Sequence, residues 1–288
     1  MKTINNIILI FLSIFLFASC EKNVVEYKAD PVDEENTVFF QIYYMVPLAT
    51  GTANNINKIE FNGQLLTNET TPLNTYNFLP SGAVSKFFTA KPGNVNLKLH
   101  RGAVNNLTLA YDQTFNLPAG RYNLVIHDFA KPPILMEHKL PFPSVTTEFT
   151  GTTAWVKFSN LLYETEGVPT DKKLQYQWQY TVDNATAEKS EWANLGQPVG
   201  FGESTGWEPV VVNKTVEISA GTARIDYRIR VIGADGSDQG SLIVRNSSGS
   251  MVNYSDWWNA QIGRIYHHNL AGFRAATPIA SVRQFTAK

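Results

Sequence analysis

Apolar and polar residues alternate with period two along several stretches of the chain. Val95, Leu97 and Leu99 alternate with Asn94, Asn96, Lys98 and His100. Leu174, Tyr176, Trp178, Tyr180 and Val182 alternate with Gln175, Gln177, Gln179 and Thr181, and Ile225, Tyr227, Ile229 and Val231 with Arg224, Asp226, Arg228 and Arg230. Successive side chains of a strand point to opposite faces, so each stretch predicts a strand with one greasy and one polar face, as in half-buried antiparallel sheets. Pro92-Gly93, Pro118-Ala119-Gly120 and Gly233-Ala234-Asp235-Gly236 supply the turns.

The pattern occurs twice in the same order. "TVFFQIYYMV" from Thr37 lines up with "TAWVKFSNLL" from Thr153, both apolar, β-branched and aromatic runs of strand length. "KPGNVNLKL" from Lys91 parallels "SAGTARIDYRI" from Ser219, which pairs Gly93 with Gly221. "AGRYNLVIHDF" from Ala119 parallels "IGRIYHHNLAGF" from Ile262, which pairs Gly120-Arg121 with Gly263-Arg264. A conserved order of strands and turns predicts an all-β chain of two tandem antiparallel β-sandwich domains, residues 36–143 and 150–288. The prolines and polar residues of "LPFPSVTTEFTGT", from Leu140, interrupt the alternation, and 144–149 is expected to be the linker.

The first residues follow a different rule. Lys2 precedes the apolar run Ile7–Phe17 and the small residues Ala18 and Ser19, the layout of a secretory signal. The run is shorter than the roughly 20 apolar residues that a spanning helix needs. Leu16-Phe17-Ala18-Ser19-Cys20 resembles a bacterial lipobox, which implies removal of 1–19 as a lipoprotein signal peptide and lipidation of Cys20. Leu16 stands one place further from the cysteine than in the commonest pattern. Residues 20–35 then read as the lipidated cysteine and a flexible tether, ending in the acidic cluster Asp33, Glu34 and Glu35. The expected location is the cell envelope, as an outer-membrane lipoprotein held by its anchor and facing either the periplasm or the exterior. Cys20 is the single cysteine, so intrachain disulfides are excluded and hydrophobic cores must hold the fold.

Composition supports this picture: charged residues are 17% and aromatics 12% of the chain, which suits an extracytoplasmic β-rich protein. A formal net charge of −1 leaves no electrostatic case for a nucleic-acid partner.

The paired opening strand, the "PG" or "AG" turn and the closing "GR-Y" strand resemble the domain-of-unknown-function family 4397, found in tandem in bacterial surface proteins and Bacteroidota-type lipoproteins. The resemblance implies immunoglobulin-like or transthyretin-like sandwiches and carries over no catalytic residues. The second half departs from the pattern by an insertion, roughly Gly167 to Val210.

Candidate chemistry is sparse. His267 and His268 are neighbours on a predicted strand and point to opposite faces, one expected inside and one outside, so they do not converge on one ion. Asp235 and Asp238 sit in a Gly-rich turn without EF-hand spacing, and no metal or cofactor is expected. His127-Asp128 and Glu137-His138 offer acid and base types, but adjacency on a strand sends each pair apart. With no nucleophile elbow and no phosphate loop, a hydrolase is the least supported class. Binding is better supported: Trp192, Trp207, Trp257 and Trp258 lie in Gly-, Asn- or Ser-rich segments read as loops, with Asp256 and Asn259 beside the last two. Loop aromatics can stack on sugar rings while adjacent amides and carboxylates bond hydroxyls, which predicts glycan binding; the alternative for each tryptophan is a place at the end of a sandwich core. Arg224, Arg228 and Arg230 are expected to form a solvated sheet face with cross-strand partners. The rival function is a structural, adhesion or assembly role that docks onto another envelope protein.

Overall fold

The computed structural model describes residues 33–81, 86–139, 152–211 and 221–286. The expected signal peptide with Cys20, the expected tether up to residue 32 and the expected linker 144–149 lie outside the described residues.

The described chain is all-β. In the first half, β1 (Val38–Tyr44), β4 (Asn77–Leu79), β5 (Phe88–Ala90), β8 (Gly120–Ile126) and β9 (Ile134–Glu137) form one sheet, and β2 (Ile56–Phe61), β3 (Gln64–Thr67), β6 (Gly93–Arg101) and β7 (Thr108–Leu117) form another. In the second half, β10 (Thr153–Thr165), β11 (Val168–Pro169), β15 (Glu208–Val211), β21 (Ile265–Phe273) and β22 (Ser281–Thr286) make the first sheet. The second comprises β12 (Lys173–Asp183), β13 (Glu188–Lys189), β14 (Ala193–Asn194), β16 (Thr222–Ile232), β17 (Asp238–Ser241) and β20 (Ser255–Gln261). A hairpin of β18 (Ile243–Arg245) and β19 (Met251–Asn253) stands apart.

The internal repeat is a structural one. β1 lies between β5 and β8, and β10 between β15 and β21, with Val38 opposite Ala90 and Ala154 opposite Val210. The N–H of Gly120 donates to the Thr37 carbonyl at 3.1 Å, and that of Gly263 to the Thr153 carbonyl at 2.9 Å. One feature departs from the antiparallel expectation: β1–β8 and β10–β21 are parallel pairs, so these sheets are mixed. The cause is topological, because the strands that open and close each half are joined by a long excursion through the other sheet rather than by a hairpin.

Each half has a core between its sheets. Phe40, Ile42, Ile59, Leu97, Leu99 and Leu124 fill the first; Phe158, Leu174, Tyr176, Ile225, Ile229 and Trp258 belong to the second. The stretch 167–210 is not an add-on: its β12 pairs with β16 from Lys173 to Tyr180 and gives Leu174, Tyr176 and Trp178 to the core.

The sheets carrying β1 and β10 are buried on both faces. Their outward residues meet in a shared cluster of Tyr43, Phe78, Val125, Met136, Leu161 and Ala271, with Phe285 packed against it. Phe285 sets its ring edge against both Tyr43 and Phe78 at 5.5 Å. Gln41 and Tyr43 of the first repeat correspond to Lys157 and Ser159 of the second, so equivalent faces of the two repeats lie against each other.

Candidate functional site

The polar face of β12, β16 and β20 carries three of the six sequence-predicted binding residues, Trp192, Trp257 and Asn259. Register sets Arg228 between Gln177 and Ser255, Asp226 between Gln179 and Trp257, and Arg224 beside Asn259. Trp257 is 49% exposed, and the Arg224 guanidinium lies 4.6 Å from its ring centre. Trp192, in the connection between β13 and β14, has the Arg228 guanidinium 4.2 Å from its ring centre. Arg228 Nε donates to Gln177 Oε1 and Gln177 Nε2 to Asn194 Oδ1, each at 2.8 Å.

Asp226 anchors the other end of this face. It accepts from Lys189 Nζ at 2.5 Å and Arg224 Nε at 2.8 Å. Burial opposes ionisation of its carboxyl, but the two cations outweigh it and hold the group below the usual carboxylate range. Arg228 has Gln177 and Trp192 rather than a carboxylate beside it; burial first, and then Arg230, pull its guanidinium below the ordinary value against the pull of Asp238. Arg230 binds Asp238 at 2.9 Å, so the expected cross-strand partners of the basic strip are present. The result is an open face with two indoles, amide and carboxylate groups, and cations held in place by neighbours.

The predicted residues do not all gather here. Trp257 and Trp258 lie on β20 rather than on a loop, and period two separates them. Trp257, Asp256 and Asn259 are exposed, whereas Trp258 is 4% exposed in the second core, its ring 4.9 Å from that of His268. Trp207 is half-buried beside β15, edge-on to His267 at 4.7 Å and with Lys157 Nζ 5.7 Å from its ring centre. Trp258 and Trp207 therefore belong to interiors.

The histidine pair also differs from expectation, since both members are buried. His268 points into the second core, its Nδ1 3.1 Å from the Tyr176 hydroxyl. His267 points into the contact between the halves, 5.4 Å ring to ring from His138. The outer side of that strand is covered by the first half, so it offers no solvent-facing place.

A cleft of about 810 Å³ opens where the halves meet, lined among others by Arg101, His127, Phe129, Tyr163, Glu166 and Phe273. His127 Nδ1 lies 2.8 Å from the Tyr163 hydroxyl. Burial lowers the His127 imidazole below its ordinary value, against the pull of Asp128, and raises the Tyr163 phenol. Its lining residues are spread from Val46 to Pro278, and no local motif announces it.

The sequence matches no protein-family model and no curated protein.

Proposed function

We propose that this chain is a non-catalytic, lipid-anchored cell-envelope protein that binds glycan on the outward face of β12, β16 and β20. The supporting observation is the half-exposed Trp257 in one surface with Trp192, Gln177, Gln179, Asn194 and Asn259. Indole rings offer stacking area at low entropic cost, and fixed amides supply donors and acceptors for hydroxyls. The Arg224 and Arg228 contacts hold the rings in place before a ligand arrives, which reduces the ordering cost of binding. In this reading the two halves are immunoglobulin-like or transthyretin-like domains akin to family 4397. Cys20 carries the lipid, and more than one acyl chain gives stable anchoring.

The test is a glycan array probed with the full chain in detergent, followed by titration of each hit against Trp257→Ala and Trp192→Ala. Saturable binding that either substitution weakens supports the reading; a flat array, or hits indifferent to both, refutes it. Docking onto another envelope protein is the second reading. It is favoured by Ile243, Met251 and Val252, which leave 47%, 45% and 38% of their surface exposed on the β18–β19 hairpin.

A further inference from the structure

Beyond Ala49, Thr277 and Pro278, which line both, the cleft between the halves gives way to a second cavity of about 430 Å³. Tyr76 and Thr50 come from the first half; Arg245, Asn246, Ser247 and Arg283 come from the second. No aspartate or glutamate lines it.

Its two guanidinium groups differ from most others in the molecule. Arg121, Arg224, Arg230 and Arg274 pair with Glu34, Asp226, Asp238 and Glu164, whereas neither Arg245 nor Arg283 pairs with a carboxylate among the described residues. The Arg283 guanidinium carbon lies over the Tyr76 ring, 4.0 Å from its centre, and its Nε–H is buried without an acceptor. Tyr76 is 7% exposed, and its buried hydroxyl has no partner beyond the Arg283 guanidinium beside it, which leaves the phenol proton free to donate. Asn246 spends its Oδ1 on the Ser248 hydroxyl at 2.7 Å and the Ser250 N–H at 2.9 Å, which leaves its Nδ2 to donate. The cavity thus collects two cations and several spare donors, and no charged acceptor. Buried polar groups in native proteins find partners, and guanidinium forks match planar and tetrahedral oxyanions.

We propose that this cavity binds an oxyanion-bearing ligand, with Arg245 and Arg283 taking a carboxylate, sulfate or phosphate group and Tyr76 and Asn246 donating to it. The adjoining cleft gives the rest of such a ligand room against Phe129 and Phe273. The site lies apart from the tryptophan face and does not rest on the glycan reading.

The experiment is calorimetric titration of the full chain in detergent with glucuronate, inorganic sulfate and inorganic phosphate, with glucose as the neutral control. At least one anion should bind saturably at one per chain, weaken as salt is added, and lose at least tenfold in affinity in both Arg245→Gln and Arg283→Gln. Which anion binds identifies the source of the oxyanion. Arg245 stands on the hairpin rather than in a core, so Arg245→Gln should keep the parent's unfolding midpoint and is decisive if Arg283→Gln misfolds. Trp257→Ala should bind the anion as the parent does, which separates this site from the sheet face. The proposal is overturned if none of the three anions binds saturably, if glucose binds as well as they do, or if Arg245→Gln binds unchanged.

Discussion

His127 and Tyr163 join the two halves of the molecule through a 2.8 Å contact between imidazole Nδ1 and phenol oxygen. Phe201 packs edge-on against both rings, at 5.5 Å and 5.1 Å. Tyr163→Phe leaves the buried imidazole nitrogen without its partner and should cost about 1–3 kcal/mol. Because Tyr43, Phe78 and Phe285 form a common buried cluster across the same junction, unfolding in urea should be one transition for both halves. Two separated transitions in the parent protein would contradict this account of the junction.

Stability should fall on the acid side. Burial first, then Lys157 and Arg121, pull His138 down to about 4; burial, then His138, Lys157 and His268, take His267 well below its ordinary value. Histidines of the unfolded chain titrate near 6.5, so below that pH the unfolded state takes up protons that the folded state refuses. The folded state therefore loses stability as pH drops from about 6.5 toward 4, with His138 alone worth roughly 3 kcal/mol across the window. Lys157, lowered to about 8 by burial against the pull of Glu137, adds a second rise in stability between pH 8 and its unfolded value of 10.5. Urea midpoints between pH 7.5 and 4.5 should decline, and decline less in His138→Gln. A flat profile would show that these imidazoles are not buried in neutral form.

Adjacent tryptophans should behave differently. Trp258 fills the second core, and Trp258→Ala should cost about 3–5 kcal/mol. Trp257 faces outward, and Trp257→Ala should stay within about 1 kcal/mol of the parent. Equal costs measured by urea unfolding would mean that the register of β20 is wrong.

That contrast marks what could be read in the sequence. Period two made β6, β12 and β16 legible, because one face of each packs a core while the other meets water or covering loops. The turn glycines and opening runs exposed the repeat through Gly120 and Gly263. The sequence of β20 reads as loop because Ser255, Asp256, Asn259 and Gln261 are poor strand formers; pairing with β16 from Thr222 to Arg228 overrides that preference. The junction of the halves was hidden for another reason. Lys157, Ser159, Asn123 and His267 are polar residues buried on outward faces, so their positions look solvated until the second sheet is in place. The loss of strict alternation in β1 and β10, both buried almost throughout, was the available signal, since a strand covered on both sides loses its period of two. Arg245 and Arg283 are far apart in the chain and form no motif.

Gly272 supplies the sharpest test of how the cavity wall is held. Its φ of +121° lies where side chains are disfavoured, and a Cβ there would stand 2.6 Å from the Ile279 carbonyl oxygen and 2.8 Å from Ala280 Cα. Those atoms are backbone and cannot swing aside. They are fixed by the Phe273 N–H to Pro278 carbonyl and Ala280 N–H to Phe273 carbonyl bonds, both 2.9 Å. Gly272→Ala should therefore cost at least about 2 kcal/mol, combining backbone strain with overpacking. Gly63 has a φ of +76° with nothing within 4 Å, so Gly63→Ala should cost only the strain of about 1–2 kcal/mol. Thr277 and Pro278 line both cavities, so the Gly272 substitution should also displace their wall and weaken anion binding, whereas Gly63→Ala leaves it intact. Equal effects of the two substitutions on stability and on anion affinity would mean that the 277–280 segment does not hold against β21 as described.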